Sequence, residues 1–273
     1  NIGSIRNSGF ELQLDGRIID RAVKWDLGVN FSLNRSKVLV LSEDKDIFGG
    51  ELDNTILKDQ LNLMRVGEPM YVFYGYVEDG YDENGHIVYK NMDDDPAITA
   101  ADKTIIGDPN PDFLVNLTTA VSYKGFTLSA FFQSSIGNDI YSLSMAAQAY
   151  DYGYNGNTLR EVYYNHWTPE NPTAKYPNLD QTSYKMSDRF VYDGSFVRLK
   201  NLELAYDVPC ARSKFIKRAR VYVSAQNLFT ITSYPFWDPD INANGGGSSM
   251  IQGVDSYCYP SARTYTIGCR LTF

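Results

Sequence analysis

The chain of 273 residues carries 25 lysines and arginines against 33 aspartates and glutamates, which gives a formal net charge of −8. Nucleic-acid-binding domains present a clustered excess of basic residues to phosphates, so this acidic balance argues against a nucleic-acid partner. Hydrophobic residues make up 43% of the chain and aromatic residues 14%. Because disordered chains are much less apolar than this, the composition predicts a folded protein.

The sequence offers no candidate for a membrane-spanning helix. Such a helix needs roughly 18 or more consecutive apolar residues, and the longest apolar run, residues 70–77, has eight even when Gly75 is counted. The first ten residues contain neither the charged nor the apolar region of a secretory signal peptide. We therefore expect a mature form or a fragment.

The three cysteines are expected to stay unpaired. Cys258 and Cys269 are separated by about 35 Å if the strand between them is extended, whereas the Cα atoms of a disulfide lie within about 7 Å of each other. Cys210 follows a proline in a predicted turn, and no Cys-x-x-Cys or Cys-His spacing suggests metal or redox chemistry.

Alternation of apolar and polar residues with a period of two is the most informative pattern in the chain. It is typical of strands that have one apolar and one polar face. Seven segments show it: residues 10–15, 25–34, 113–123, 126–132, 196–206, 219–231 and 262–273. Only Lys124 and Gly125 separate the third and fourth segments, which predicts a tight hairpin. In the fifth segment the alternation changes phase, so we expect a β-bulge near Asn201.

The connections between these strands alternate in length. Short links are expected at residues 16–22, 124–125 and 208–218, and long links at residues 35–110, 136–189 and 232–261. Short turns on one side and long loops on the other are typical of outer-membrane barrels. The sequence therefore predicts an all-β fold in which residues 1–273 form seven or so C-terminal antiparallel strands of a large transmembrane barrel with long extracellular loops.

A soluble β-sandwich that binds carbohydrate is the alternative, because seven strands suffice to build one. Seven strands cannot close a barrel in lipid without leaving unpaired backbone groups, so the membrane interpretation requires further strands from outside this chain. The two alternatives place one row of side chains differently, facing lipid in the barrel and sealed in the core of the sandwich. The row consists of Phe113, Val115, Leu117, Val121, Phe126, Leu128, Ala130 and Phe132.

Several short motifs occur in a characteristic order along the chain. They are GSIRNSGFE at residues 3–11, WTPEN at 167–171, VRLKN at 197–201, AQNLFT at 225–230, Tyr259-Pro260 with Arg263-Thr264, and the terminal Phe273. Together they resemble the C-terminal part of the SusC/RagA family of TonB-dependent outer-membrane transporters. The family's plug domain, TonB box and earlier barrel strands have no counterpart here, so the chain looks like the last third or so of such a transporter.

The resemblance implies a location in the cell outer membrane and a barrel of about 22 strands. It further implies a plug that energised TonB remodels through the N-terminal part of the protein, and a SusD-type surface lipoprotein that covers the barrel as a lid. The cargo that this lid delivers would be a glycan or a peptide oligomer, and the barrel would be embedded in membrane lipid.

An acidic stretch in the first long loop raises the question of calcium binding. Asp82 and Asn84 precede Gly85 at alternate spacing, and Ca²⁺ prefers several carboxylate and carbonyl oxygens at a turn. In the family that this chain resembles, many members have a fuller calcium-binding sequence, D-x-N-x-D-G-x-I, at this place. This chain has Gly80 where the first acidic residue of that sequence is needed. A calcium site at Asp82 and Asn84 and a solvated acidic loop both stay open.

The second and third long loops are rich in tyrosine and tryptophan. Flat aromatic faces with polar neighbours can stack on sugar rings or bind a protein partner. Packing inside the loops, or an aromatic girdle at the membrane interface, is the alternative. The candidates for substrate or lid contact are Tyr152, Tyr154, Trp167, Trp237 and Tyr257.

Catalysis has little support in the sequence, and we expect a protein that is not an enzyme. His86 and His166 are isolated, and Ser195 lacks the second glycine of a nucleophile elbow.

The last strand ends on an aromatic residue. In the family context Tyr265, Leu271 and Phe273 resemble the assembly signal that the barrel-insertion machinery reads, while the alternative is an ordinary edge strand that happens to stop on Phe273.

Overall fold

The largest element of the fold is an antiparallel sheet of seven long strands. The structure is a computed structural model that describes residues 3–53, 57–150, 157–210, 215–241 and 250–273. The strands lie side by side in chain order, so each is hydrogen-bonded to the next long strand along the sequence. Numbered with all strands of the molecule, they are β1 (Gly3–Asp20), β2 (Val23–Leu41), β11 (Phe113–Tyr123), β12 (Phe126–Ile136), β15 (Phe196–Val208), β16 (Arg218–Thr232) and β18 (Thr264–Thr272).

The strand register gathers the apolar residues of all seven strands on one face. Leu204 of β15 lies between Leu128 of β12 and Val223 of β16, and Val223 in turn faces Ile267 of β18. Because side chains alternate between faces, a shift by one residue anywhere would move a whole apolar row to the other face. The predicted row from Phe113 to Phe132 lies on this apolar face.

Three sequence predictions about the strands are tested directly. Lys124 and Gly125 form the predicted tight hairpin, and their φ angles of 45° and 86° are the positive values that a type I′ turn requires. The predicted β-bulge is confirmed by a register shift between Leu199 and Asn201. The predicted short link at residues 16–22 is present but shorter than expected, because β1 stays paired with β2 as far as Asp20 and β2 begins at Val23.

The bulge has a clear physical role. On the β12 side of β15, Leu199 pairs with Phe132 and Leu202 pairs with Ala130. The extra residue, Lys200, resets the alternation between them, so that apolar side chains stay on the same face before and after it.

The predicted long connections contain secondary structure of their own. Strand β2 extends to Leu41, which shortens the first long link. The short strands in the connections are β3 (Ile47–Phe48), β4 (Glu51–Asp53), β5 (Lys58–Gln60), β6 (Asn62–Met64), β7 (Val72–Gly75), β8 (Glu78–Tyr81), β9 (Ile87–Tyr89), β10 (Thr104–Gly107), β13 (Asp139–Ser142), β14 (Val191–Asp193) and β17 (Val254–Asp255). They form small sheets of order β10–β7–β6–β3 and β14–β13–β17 and two hairpins, β4–β5 and β8–β9. The helices are α1 (Leu143–Tyr150), α2 (Arg160–Tyr164) and the 3₁₀ turns Ser42–Asp44, Ala100–Asp102 and Asp188–Phe190.

The main buried apolar cluster of the described residues lies among these connections, which we call the loop layer (the described parts of residues 42–112, 137–195 and 233–263). Phe73, Tyr141 and Val162 are central members, and all three are fully buried. Each such side chain contributes roughly 1.5 to 3 kcal/mol when it leaves water. A parallel pairing of Tyr141 with Val254 joins the second and third connections. The loop layer is therefore a packed unit at one end of the sheet.

The apolar face of the large sheet remains largely exposed. Leu128 keeps 48% of its surface exposed and Ile267 keeps 86%, whereas in a sandwich a second sheet would seal such residues in the core. The fold is all-β, as predicted, and the exposed apolar face of the large sheet argues against the soluble sandwich that was the alternative. Among the described residues, no helix has the length and apolar character needed to cross a membrane.

A charge placed on the apolar face should impair membrane assembly, whereas the same charge on the polar face should not. Val223 lies on the apolar face, and its neighbour Ser224 lies on the polar face opposite Glu203. An arginine at the lipid midplane costs about 2 to 4 kcal/mol. We expect Val223→Arg to lower the amount of the full-length protein in outer-membrane fractions and Ser224→Arg to leave it unchanged. Equal amounts of both variants would contradict a lipid-facing apolar surface.

Candidate functional site

A buried arginine joins the large sheet to the third long connection. Arg198 of β15 is 1% exposed. Its Nε donates to Thr230 Oγ1 at 2.9 Å, and its Nη1 donates to Asp240 Oδ2 and to Ser261 Oγ, each at 3.1 Å. Its Nη2 pairs with the buried carboxylate of Asp238. One guanidinium therefore connects β16, the start of the third connection and the segment that leads into β18.

The Asp238 carboxylate is fully occupied by this network. Its Oδ1 also accepts the backbone N–H of Asp240 at 2.9 Å, and its Oδ2 accepts the N–H of Ser261 at 2.9 Å. Burial by itself would raise the pKa of Asp238, but these N–H groups and the Arg198 guanidinium outweigh burial and lower the pKa below its usual value. These bonds thus favour the charged form of the Asp238 carboxylate.

A groove of about 330 Å³ opens beside this network, where the third connection meets β16 and the segment before β18. We call it the rim groove. Its lining includes Trp237, Asn227, Thr230, Thr232, Pro260 and Arg263. Trp237 is 58% exposed and stacks on Phe236, with ring centroids 4.8 Å apart and planes 15° apart. Of the sequence-predicted contact residues, Trp237 is the one that presents an aromatic face in a groove.

Trp167, another predicted contact residue, packs between two connections. Its ring lies so close to Gly85 that a Cβ added there would be 2.3 Å from ring carbons. Its backbone N–H donates to the carbonyl of Tyr176 at 2.8 Å. This position agrees with the alternative of packing inside the loops, and it brings Trp167 onto the acidic turn of the first connection.

The remaining predicted contact residues have other surroundings. Tyr257 is exposed, and its backbone N–H donates to Ser144 Oγ at 2.6 Å. Tyr152 and Tyr154 lie outside the described residues. Trp237, Trp167 and Tyr257 therefore occupy three separate environments, and their roles in substrate or lid contact stay predictions.

The acidic turn itself is closed by hydrogen bonds of its own. Asp82 Oδ1 accepts the backbone N–H groups of Asn84 and His86, each at 2.8 Å. These bonds, that of His86 foremost, lower the pKa of Asp82. His86 Nε2 lies 2.8 Å from Asp180 Oδ1 of the second connection. In the described part of the chain, no three His, Cys, Asp or Glu side chains are placed to hold a metal ion, and calcium binding at Asp82 and Asn84 stays a prediction.

Sequence reasoning did not identify the buried polar pairs that join the connections. Arg189 is largely buried and forms a bidentate pair with Glu78, which also accepts from Ser187 Oγ at 2.7 Å. The Tyr234 hydroxyl donates to Asp255 Oδ2 at 2.5 Å, and burial together with this carboxylate raises the pKa of Tyr234. The partners are more than 20 residues apart in the sequence, so no local spacing marks them. For Arg198 the signals were its place in the VRLKN motif and its charge within an alternating strand, and neither identifies its partners.

Removing the buried arginine should release the third connection from the sheet. Arg198→Met leaves the Asp238 carboxylate buried without its partner, which typically costs about 3 to 5 kcal/mol. We expect faster hydrogen–deuterium exchange in residues 233–241 of the full-length protein, because exchange reports the free energy of local opening.

Lys200→Met is the matched control. Lys200 lies on the same strand as Arg198, and its Nζ is 3.9 Å from Asp240 Oδ2. The Lys200 side chain is 37% exposed, so the loss of this ion pair should cost at most about 1 kcal/mol. Equal exchange in the two variants would show that the Arg198 network does not hold the third connection.

Comparisons with known proteins agree with this geometry. No family model matches the chain. The chain is 32% identical over its whole length to TonB-dependent receptor P3 of Formosa agariphila and 28% identical to TonB-dependent receptor SusC of Bacteroides thetaiotaomicron. It covers 29% and 27% of these two proteins, so it spans less than a third of the relatives it matches.

Solved structures give the same result. A structure of the RagAB peptide transporter aligns over 100% of this chain and 29% of that chain, with a TM-score of 0.81 and 26% identity. The RagAB peptide importer in its closed-closed state also gives a TM-score of 0.81, at 26% identity over 100% of this chain and 30% of that one. The chain is therefore homologous over its whole length to a C-terminal barrel segment of TonB-dependent receptors such as SusC and RagA.

Proposed function

We propose that the parent protein is a TonB-dependent importer of glycan or peptide oligomers in the outer membrane, and that this chain supplies part of its barrel wall and loop layer. The observation that carries the proposal is the continuous apolar face of the seven-stranded sheet. Such a face requires a lipid bilayer as its surroundings, because the exposure of this much apolar surface to water is unfavourable in free energy.

The dimensions of the strands support this assignment. Strand β1 has 18 residues and β2 has 19, and at about 3.3 Å per residue each spans about 60 Å. The hydrocarbon core of a bilayer is about 30 Å thick. Even when tilted, such strands extend beyond the lipid on one side, where they carry the loop layer into the aqueous phase.

The partners follow from the same proposal. A SusD-type surface lipoprotein would close over the loop layer, and TonB would act through parts of the protein outside this chain. RagAB, whose structure matches this chain, is a peptide transporter, which supports peptide as one cargo class, while the glycan class rests on the resemblance to SusC. We propose no enzymatic activity.

Co-purification tests the proposal. Full-length protein extracted from its native membrane in mild detergent should bring a surface lipoprotein with it, which mass spectrometry can identify. Retention of the lipoprotein through a second affinity step, and its loss when the receptor is omitted, serve as controls. A full-length protein recovered as a water-soluble, lipid-free monomer would overturn the proposal.

The assembly signal is proposed for the last strand. Strand β18 forms one edge of the sheet, and Tyr265, Leu271 and Phe273 all have exposed side chains. Deleting Phe273 from the full-length protein should lower its level in the outer membrane several-fold, while Thr272→Ser should leave the level unchanged. Normal assembly without Phe273 would contradict this role.

A further inference from the structure

The rim groove has polar groups whose hydrogen-bonding capacity is already used and others whose capacity is free. Asp238 accepts hydrogen bonds from Arg198 and from two backbone N–H groups. Thr230 Oγ1 accepts from Arg198, and Thr232 Oγ1 donates to the Ser195 carbonyl at 2.8 Å. These three side chains are therefore engaged in holding the fold.

Two polar groups of the groove remain available. Arg263 is exposed, and within the described ranges no carboxylate pairs with its guanidinium. Asn227 lies in a left-handed conformation with φ of 51°, and its Nδ2 donates to the Ala262 carbonyl at 2.9 Å. Its Oδ1 is buried and has no partner among those residues. A buried acceptor without a partner costs about 1 to 3 kcal/mol, so a ligand that donates to it would recover this energy.

The aromatic wall of the groove is held in place. Phe236 packs against the core of the loop layer, and the Trp237 ring stacks on it nearly in parallel. Proline follows at position 239 and is buried. One face of the indole is thus fixed against the protein while the residue remains exposed, which makes a rigid platform that needs little ordering when a ligand binds.

The edge of β16 next to the groove is only partly paired. Gln226 of β16 pairs with Thr264 of β18, β16 continues to Thr232, and the Ala262 carbonyl is taken by Asn227. An extended peptide usually adds to such an edge through backbone hydrogen bonds, and trialanine tests that mode below. The side chains of the groove, an exposed indole together with an exposed guanidinium, match a compact ring that carries a carboxylate.

We infer that the rim groove binds one carboxylate-bearing sugar unit of a transported oligomer. The C–H face of the ring would lie on Trp237, the carboxylate would pair with Arg263, and a hydroxyl would reach Asn227 Oδ1 after a small side-chain movement. This inference rests on the proposed function and specifies the cargo chemistry at one place in the loop layer.

Tryptophan fluorescence of the purified full-length protein in detergent tests the inference, with sodium glucuronate, glucose and trialanine as the probes. Glucuronate should give a saturable change, and glucose should bind about tenfold more weakly because it lacks the charge-assisted bond to Arg263. Trialanine should give no saturable change. Arg263→Gln should remove the preference for glucuronate, and Trp237→Phe should remove the signal from this site.

Arg218→Gln is the matched control, because Arg218 is an exposed arginine at the short-turn end of β16. It should behave as the wild type does. No response to glucuronate, an unchanged preference in Arg263→Gln, or a stronger response to trialanine would each overturn the inference. A protein that still co-purifies with its lipoprotein in that case would leave the proposed function intact, whereas loss of both would reject both.

Discussion

A sheet whose apolar residues lie mostly on one side needs a neighbour for that side. Across seven strands the register aligns apolar positions from Leu14 to Ile267, and among the residues that the structure describes no second sheet covers them. Each exposed apolar side chain in water forgoes roughly 1.5 to 3 kcal/mol relative to its burial. The rest of the architecture follows, since lipid on that face requires paired strands, polar residues on the opposite face and polar connections that leave the membrane at one end.

Unlike the large sheet, the loop layer is built as a globular protein is, with a buried apolar core and paired charges. Its core contains Phe73, Tyr141 and Val162 in full burial, and it holds its charges in closed pairs such as Glu78 with Arg189. Arg198 connects the two parts, because it belongs to a sheet strand and its partners belong to the third connection. A packed layer presents fixed surfaces, which suits recognition better than disordered loops do.

The sequence was sufficient for the sheet because strand alternation is a local signal. Seven alternating segments, the Lys124-Gly125 turn and the bulge next to Lys200 could all be recognised from neighbouring residues. The loop layer could not be predicted in this way, because its strands have two to four residues and its core joins residues far apart in the sequence.

The same limit applies to the candidate site. Trp167 and Trp237 have equivalent local signals, yet Trp167 packs on Gly85 and Trp237 lines a groove. Only the tertiary arrangement distinguishes the two. Arg198 was missed for the same reason, since its carboxylate partners lie 40 or more residues further along the chain.

The central claim is that the apolar face of the sheet contacts lipid. Nitroxide labels placed one at a time at residues 221–225 of the full-length protein, with native cysteines replaced and the protein in bilayers, measure it most directly. Val221, Val223 and Ala225 should show high accessibility to dissolved oxygen, and Tyr222 and Ser224 should show low accessibility. Uniform values, or strong access of a water-soluble nickel complex to position 223, would contradict the claim.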